Sequence, residues 1–140
     1  MVISYWPYGL VLMIVLVGMT LLPGCSSANR ETQVMICETD TTSKGCAEDQ
    51  NKFTVGQQLS AHLIAGKPFV AQTIIGKILR LSGSDTIPLG NRMITLEPGQ
   101  QSIVQSLPFH EFGEQAKGQF LVQFVDGQNQ LIAEKAFTIQ

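Results

Sequence analysis

The 140-residue chain predicts an all-β fold, an antiparallel two-sheet sandwich, over its last ninety or so residues. Three observations lead there. Beyond Lys52, short apolar runs alternate with turn-forming residues, the spacing of short strands. Phe120, Val122 and Phe124 alternate with Leu121, Gln123 and Val125, and after the turn Asp126-Gly127-Gln128-Asn129 the residues Leu131, Ala133, Phe137 and Ile139 follow on alternate positions, which reads as a hairpin with one shared apolar face. Seven phenylalanines (Phe53, Phe69, Phe109, Phe112, Phe120, Phe124 and Phe137) supply enough bulk to seed one core.

The chain opens on a leader. From Leu10 to Leu22 no residue is charged and nearly all are apolar. That length suits a signal-peptide apolar region of about 7–15 residues and falls short of the about 20 that a spanning helix needs. The leader ends Leu21-Leu22-Pro23-Gly24-Cys25 and continues into Ser26-Ser27. These residues resemble the lipobox of bacterial lipoprotein precursors, with Leu22 and Gly24 at the recognition positions and Cys25 as the residue that is acylated. The resemblance implies that residues 1–24 are removed and that Cys25 becomes a lipid-bearing N-terminus. An uncleaved membrane anchor is the alternative. With Ser26 after the cysteine and no Asp near, the resemblance to sorted lipoproteins of enteric-type bacteria implies the outer membrane, facing the periplasm. Multiple acyl chains provide stable anchoring that a single chain does not.

Residues 25–52 are rich in Ser, Thr, Asn, Asp, Glu and Gln, and only Val34-Met35-Ile36 can pack. They read as a lipidated polar tether with one short strand. Cys37 and Cys46 lie in this segment, and in an exported protein a disulfide between them is the default. Closing the polar loop between them stabilises by about 2.7 kcal/mol on the chain-entropy model. A metal pair is the rival reading, but two cysteines with no nearby His make a poor zinc site. The expected organisation is a signal peptide over 1–24, the tether over 25–52 and the sandwich over 53–140.

Within the sandwich, Leu59, Ala61 and Leu63 alternate with Gln58, Ser60 and His62, giving a half-buried strand, with a short helix over 57–65 as the alternative. Residues 73–81 are apolar on both faces, as in a central strand. Residues 92–96 form the next strand. Glu97-Pro98-Gly99-Gln100 then suits a type II turn, with Pro and Gly at its centre. Residues 103–107 give a further strand before the closing hairpin.

The last stretch, Gly118 to Asp126 and then Leu131 to Ile139, resembles the closing hairpin of bacterial immunoglobulin-like domains. Phe53-Thr54-Val55-Gly56 resembles their opening strand. The resemblance covers about residues 53–140 and implies an immunoglobulin-like sandwich, with a transthyretin-like sandwich, as in type VI secretion lipoproteins, as a neighbouring alternative. It implies no activity. Antibody-type hallmarks are absent from these residues: there is no Trp or Tyr after Tyr8 and no Cys after Cys46.

Composition narrows the function. Residues 26–51 carry Arg30 and Lys44 against Glu31, Glu38, Asp40, Glu48 and Asp49, whereas residues 52–140 are nearly balanced. No basic patch points to nucleic acid. Trp6, Tyr5 and Tyr8 all lie in the leader, and the lack of Trp and Tyr after it argues against a glycan-binding cleft. His62 falls on the polar side of its strand and reads as solvent-facing; His110 neighbours Glu111 without a catalytic pattern. No nucleophile elbow, zinc-binding helix, phosphate loop or calcium loop occurs, so no catalytic residue, metal or cofactor is expected. Asp126 is explained by its turn.

One loop stands out. Phe109 and Phe112 bracket His110 and Glu111 between Pro108 and Gly113. Either both rings close one end of the core, or one or both are exposed as a contact for a protein partner, with His110 between them. The expectation is a non-enzymatic, lipid-anchored envelope module that docks another protein in a secretion, pilus or transport assembly. A periplasmic accessory that binds a small ligand or substrate is the alternative.

Overall fold

The computed structural model describes residues 31–39, 46 and 48–140. The leader, its cleavage and acylation at Cys25 lie outside the described residues, as do residues 40–45 and 47. In chain order the strands are β1 (Gln33–Glu38), β2 (Lys52–Phe53), β3 (Leu59–Ile64), β4 (Thr73–Ser82), β5 (Asp85–Thr95), β6 (Ser102–Leu107), β7 (Gly118–Asp126) and β8 (Leu131–Ile139). A 3-10 segment, Pro108–Ala116, joins β6 to β7.

These strands make an immunoglobulin-like sandwich of two sheets. The smaller has the order β1-β3-β6 and the larger β2-β8-β7-β4-β5. Pairing is antiparallel throughout except for the two-residue β2, which runs parallel to β8. The C-terminal hairpin forms, with Phe120, Val122, Phe124, Phe137 and Ile139 inward as the pattern predicts, but its register slips between Phe124 and Val125 and Leu131 is exposed. Asp126 Oδ1 accepts from the backbone N–H groups of Gln128 and Gln130, and Asn129 takes φ 64°, a conformation Asn tolerates. The turn at 97–100 also forms, with Gly99 at φ 83° and the Gln100 N–H on the Glu97 carbonyl.

Period-two alternation fills the space between the sheets. Val34 and Ile36 of β1, Leu59, Ala61 and Leu63 of β3, and Ile103 and Leu107 of β6 point inward. They share one cluster with Ile74 and Ile78 of β4, Phe120, Val122 and Phe124 of β7, and Phe137 and Ile139 of β8. Phe120, Phe124, Leu59, Leu63, Ile36 and Ile74 are fully buried.

Two sequence boundaries shift. The sandwich begins at Gln33, not at residue 53, because β1 pairs with β3 along its whole length and buries Val34 and Ile36. Asp49, also placed in the tether, ties the two sheets: one carboxylate oxygen accepts from the Ile36 N–H and the other pairs with Lys135 of β8. The strand expected at 92–96 is the end of an eleven-residue strand, β5. Pro88 and Gly90 conceal it in the sequence. In the fold, Pro88 sits on an edge, where a missing N–H is tolerated. The β4–β5 register slips between Ile78 and Leu79, leaving Leu89 without a partner.

One polar side chain points the wrong way for its neighbours. Gln105 stands opposite Ala61 on the inward face of β6, is 4% exposed, and has no hydrogen-bond partner for Oε1. Gly76 of β4 makes room for it: a Cβ there would lie 1.9 Å from Gln105 Oε1. Gly76→Ala is therefore expected to destabilise the protein by about 1–3 kcal/mol in urea unfolding, the range for overpacking a core. In a Gln105→Ala background most of that loss should disappear. Gln105→Met, which keeps the length and removes the unpaired amide, should raise the unfolding midpoint.

Candidate functional site

The three-stranded sheet leaves part of the five-stranded one uncovered. β1 packs over β8, whereas β5, at the far edge, is exposed along nearly its full length, including Ile87 and Leu89. The 3-10 segment crosses this open side. Pro108 starts it with its fixed φ, and Gly113, at φ 54° and ψ −135°, kinks it. Residues three apart on a 3-10 turn share one side. Phe109 and Phe112 consequently face the same way at different depths.

Phe109 is 4% exposed. Its ring centroid lies 4.5 Å from that of Phe120 and 5.6 Å from that of Phe137, closing the end of the core. Phe112 is 53% exposed. Of the two rings, Phe109 closes the core and Phe112 is left exposed. Between the segment and β4–β5 lies a cleft of about 320 Å³, walled by Ile78, Leu89, Phe112 and Phe120, with Pro108 and Ala116 at the 3-10 side. Among the described residues, Arg80 is its one charged lining residue. Its guanidinium lies 5.6 Å above the Phe120 ring and donates to the carbonyl oxygens of Lys117 (2.8 Å) and Gln115 (3.5 Å). Arg80 thereby fixes the end of the segment against β4. His110 is not part of the lining: its Nε2 lies 3.9 Å from the Glu111 carboxylate. The 3-10 turn places these two side by side, where strand geometry would have set them on opposite faces.

A second cluster lies on the outward face of the smaller sheet. Cys37 and Cys46 are joined as a disulfide, with Cα atoms 5.5 Å apart. Cys37 stands opposite Ser60 in the β1–β3 register, and Met35 stands opposite His62. His62 Nε2 is 2.9 Å from Ser60 Oγ, which is 3.8 Å from Cys37 Sγ. The expectation of a solvent-facing His62 is corrected: it is 9% exposed, because this outward face lies beside the disulfide. The expectation that no His lies near the cysteines is also overturned. Ligand atoms of Cys37, Cys46 and His62 all fall within 4.8 Å of one another. Spacing in the sequence could not show this, since strand pairing brings His62 there.

No protein-family model matches the chain, and no curated protein matches it. Among solved structures it is similar to an immunoglobulin-like protein from Pseudomonas aeruginosa, at 18% identity and a TM-score of 0.53. That likeness covers 81% of this chain and 99% of the other, more than residues 53–140 alone could supply, and it bears on the fold only. A superoxide reductase (neelaredoxin) from Ignicoccus hospitalis matches at 11% identity and a TM-score of 0.43, over 84% of this chain and 89% of the other. This second likeness is too distant to carry an argument.

Two outcomes follow. Phe109→Ala should destabilise by about 3–5 kcal/mol, the range for a buried ring, whereas Phe112→Ala should stay within about 0.5 kcal/mol of wild type. Chemical denaturation of both variants measures the contrast. Burial also lowers the His62 pKa below its ordinary value of 6.5. The unfolded chain therefore takes up this proton at higher pH than the folded one. Stability is full above the ordinary value and is lost as pH falls through it toward the folded pKa. Thermal melts from about pH 8 down to about pH 5 should show a smaller loss for His62→Gln than for wild type.

Proposed function

We propose that this protein is a lipid-anchored module of the bacterial cell envelope that docks a protein partner through the Phe112 cleft and catalyses no reaction of its own. The observation that carries this reading is the exposed Phe112 beside exposed Leu89, over an apolar cleft with a single fixed cation. Large exposed aromatic and aliphatic side chains around a pocket are the usual anchors of a protein interface. Phe109 and Phe120 make a rigid floor, so a docking side chain meets a preformed surface.

The lipobox-like residues around Cys25 support the membrane half of the proposal. With the sandwich starting at Gln33, the chain between Cys25 and β1 spans at most about 29 Å when fully extended. The domain would then sit close to the bilayer, and its partner with it. A small apolar ligand is the second reading, favoured by the cleft volume of about 320 Å³, which falls in the range of small-molecule sites.

A photo-reactive residue at position 112 in the full chain, expressed in cells, tests the docking. One discrete crosslinked protein, lost on Leu89→Asp, is the expected result. Absence of any protein adduct, with a small molecule recovered on the probe, would favour the second reading. For the anchor, mass spectrometry of membrane-extracted protein should show a chain starting at Cys25 with added acyl mass. Cys25→Ser should accumulate as unprocessed precursor, and an intact wild-type Met1 would support an uncleaved anchor.

A further inference from the structure

We propose that reduction of the Cys37–Cys46 disulfide opens a three-ligand zinc site formed by the two thiolates and the His62 imidazole. Strand register builds most of it before any metal arrives. Cys37 and His62 are diagonal neighbours across the β1–β3 ladder, fixed by six residue pairs, and the disulfide places Cys46 beside Cys37 until it is reduced. All three ligand atoms lie within 4.8 Å of one another. A tetrahedral ion with bonds of about 2.0–2.3 Å keeps its ligands about 3.5 Å apart, so once reduction breaks the S–S bond the two sulfurs must part and the imidazole must close in. Two thiolates and an imidazole are a zinc donor set, and three protein ligands leave a fourth position for water.

The surroundings suit a ligand more than a buried structural histidine. Ser60 Oγ contacts the His62 ring at 2.9 Å and orients it, as outer partners of metal-binding histidines do. No other Asp, Glu, His or Cys among the described residues joins this group.

The chemistry balances in two steps. A dithiol reductant gives two electrons and two protons to the Cys37–Cys46 bond and leaves as its own disulfide; two thiols remain. Zn²⁺ then displaces both thiol protons to solvent, forms two Zn–S bonds and accepts the imidazole lone pair as the third. In the oxidised protein the sulfurs are bonded to each other and the site is closed. Metal binding is thus gated by the redox state of one bridge.

Cobalt is the probe. The full chain is reduced with a phosphine, checked for retained β structure by circular dichroism, and titrated with Co²⁺. Reduced protein should take up one Co²⁺ per chain, with a sulfur-to-cobalt charge-transfer band and the visible bands of a tetrahedral ion. Zn²⁺ should bleach both. The disulfide form should show neither. His62→Gln, with its fold checked by thermal melt, should weaken Co²⁺ binding by at least the about 10–100-fold that loss of even an outer partner costs. Cys25→Ser should leave the titration unchanged. The proposal is overturned if the reduced, folded protein takes up no Co²⁺, if His62→Gln binds as tightly as wild type, or if Cys25→Ser abolishes binding. It is equally overturned if the reduced chain loses its β structure and Zn²⁺ does not restore it.

Discussion

Apolar contact between two sheets of unequal width governs the rest of this molecule. Leu59, Ala61 and Leu63 on β3 share a buried cluster with Phe120, Val122 and Phe124 on β7, so the middle strand of the small sheet lies over the centre of the large one. Three strands placed there cover β8 and leave β5 overhanging. Hydrophobic burial is non-directional and would be satisfied by further cover. Among the described residues only a partial cover is supplied, the 3-10 segment, which seats Phe109 in the gap and leaves Phe112 above it. The cleft is what remains of an overhang incompletely filled.

Polar groups mark where that packing was modified. Arg80, on the core side of β4, is accommodated because its guanidinium lies over the Phe120 ring and takes the carbonyls of Gln115 and Lys117. Cation–π contact and charge-assisted hydrogen bonding together offset desolvation. Gln105 has no such compensation at Oε1, and its place depends on Gly76 having no side chain. Asp49 works from the periphery, joining a backbone N–H of β1 to Lys135 of β8 across the opposite side of the sandwich. One side of the fold is thus tied by a carboxylate and the other is left open.

How much of this was legible in the sequence depends on whether each strand has one wet face. β7 and β8 alternate over most of their length and could be read, although Val125 is buried beside Phe124 and Leu131 is exposed near the turn; the apolar β4, which lies between two neighbours, could be read too. β5 could not, because an overhanging edge strand is exposed on both faces and carries no period, while Pro88 and Gly90 resemble breakers. β1 was hidden among polar flanks: a six-residue strand with two core residues gives too little pattern to outweigh its setting. His62 was assigned to solvent by alternation, correctly for its face and wrongly for its burial, because the disulfide lies against that same face. Phe109 and Phe112 were singled out together, but only the 3-10 geometry separates the one that packs from the one that is exposed.

The broken ladder on β5 has a consequence for how copies of this protein meet one another. An edge strand of eleven residues with exposed Ile87, Leu89 and Met93 is the usual template for sheet extension from chain to chain. Here Pro88 removes a donor at the strand's middle, and the bulge at Leu89 interrupts the regular spacing that a facing strand would have to match. Crowded copies can touch through apolar side chains, but a facing strand would lose the regular ladder around Pro88 and Leu89. The same irregularity that concealed β5 from the sequence pattern is a barrier to fibril growth.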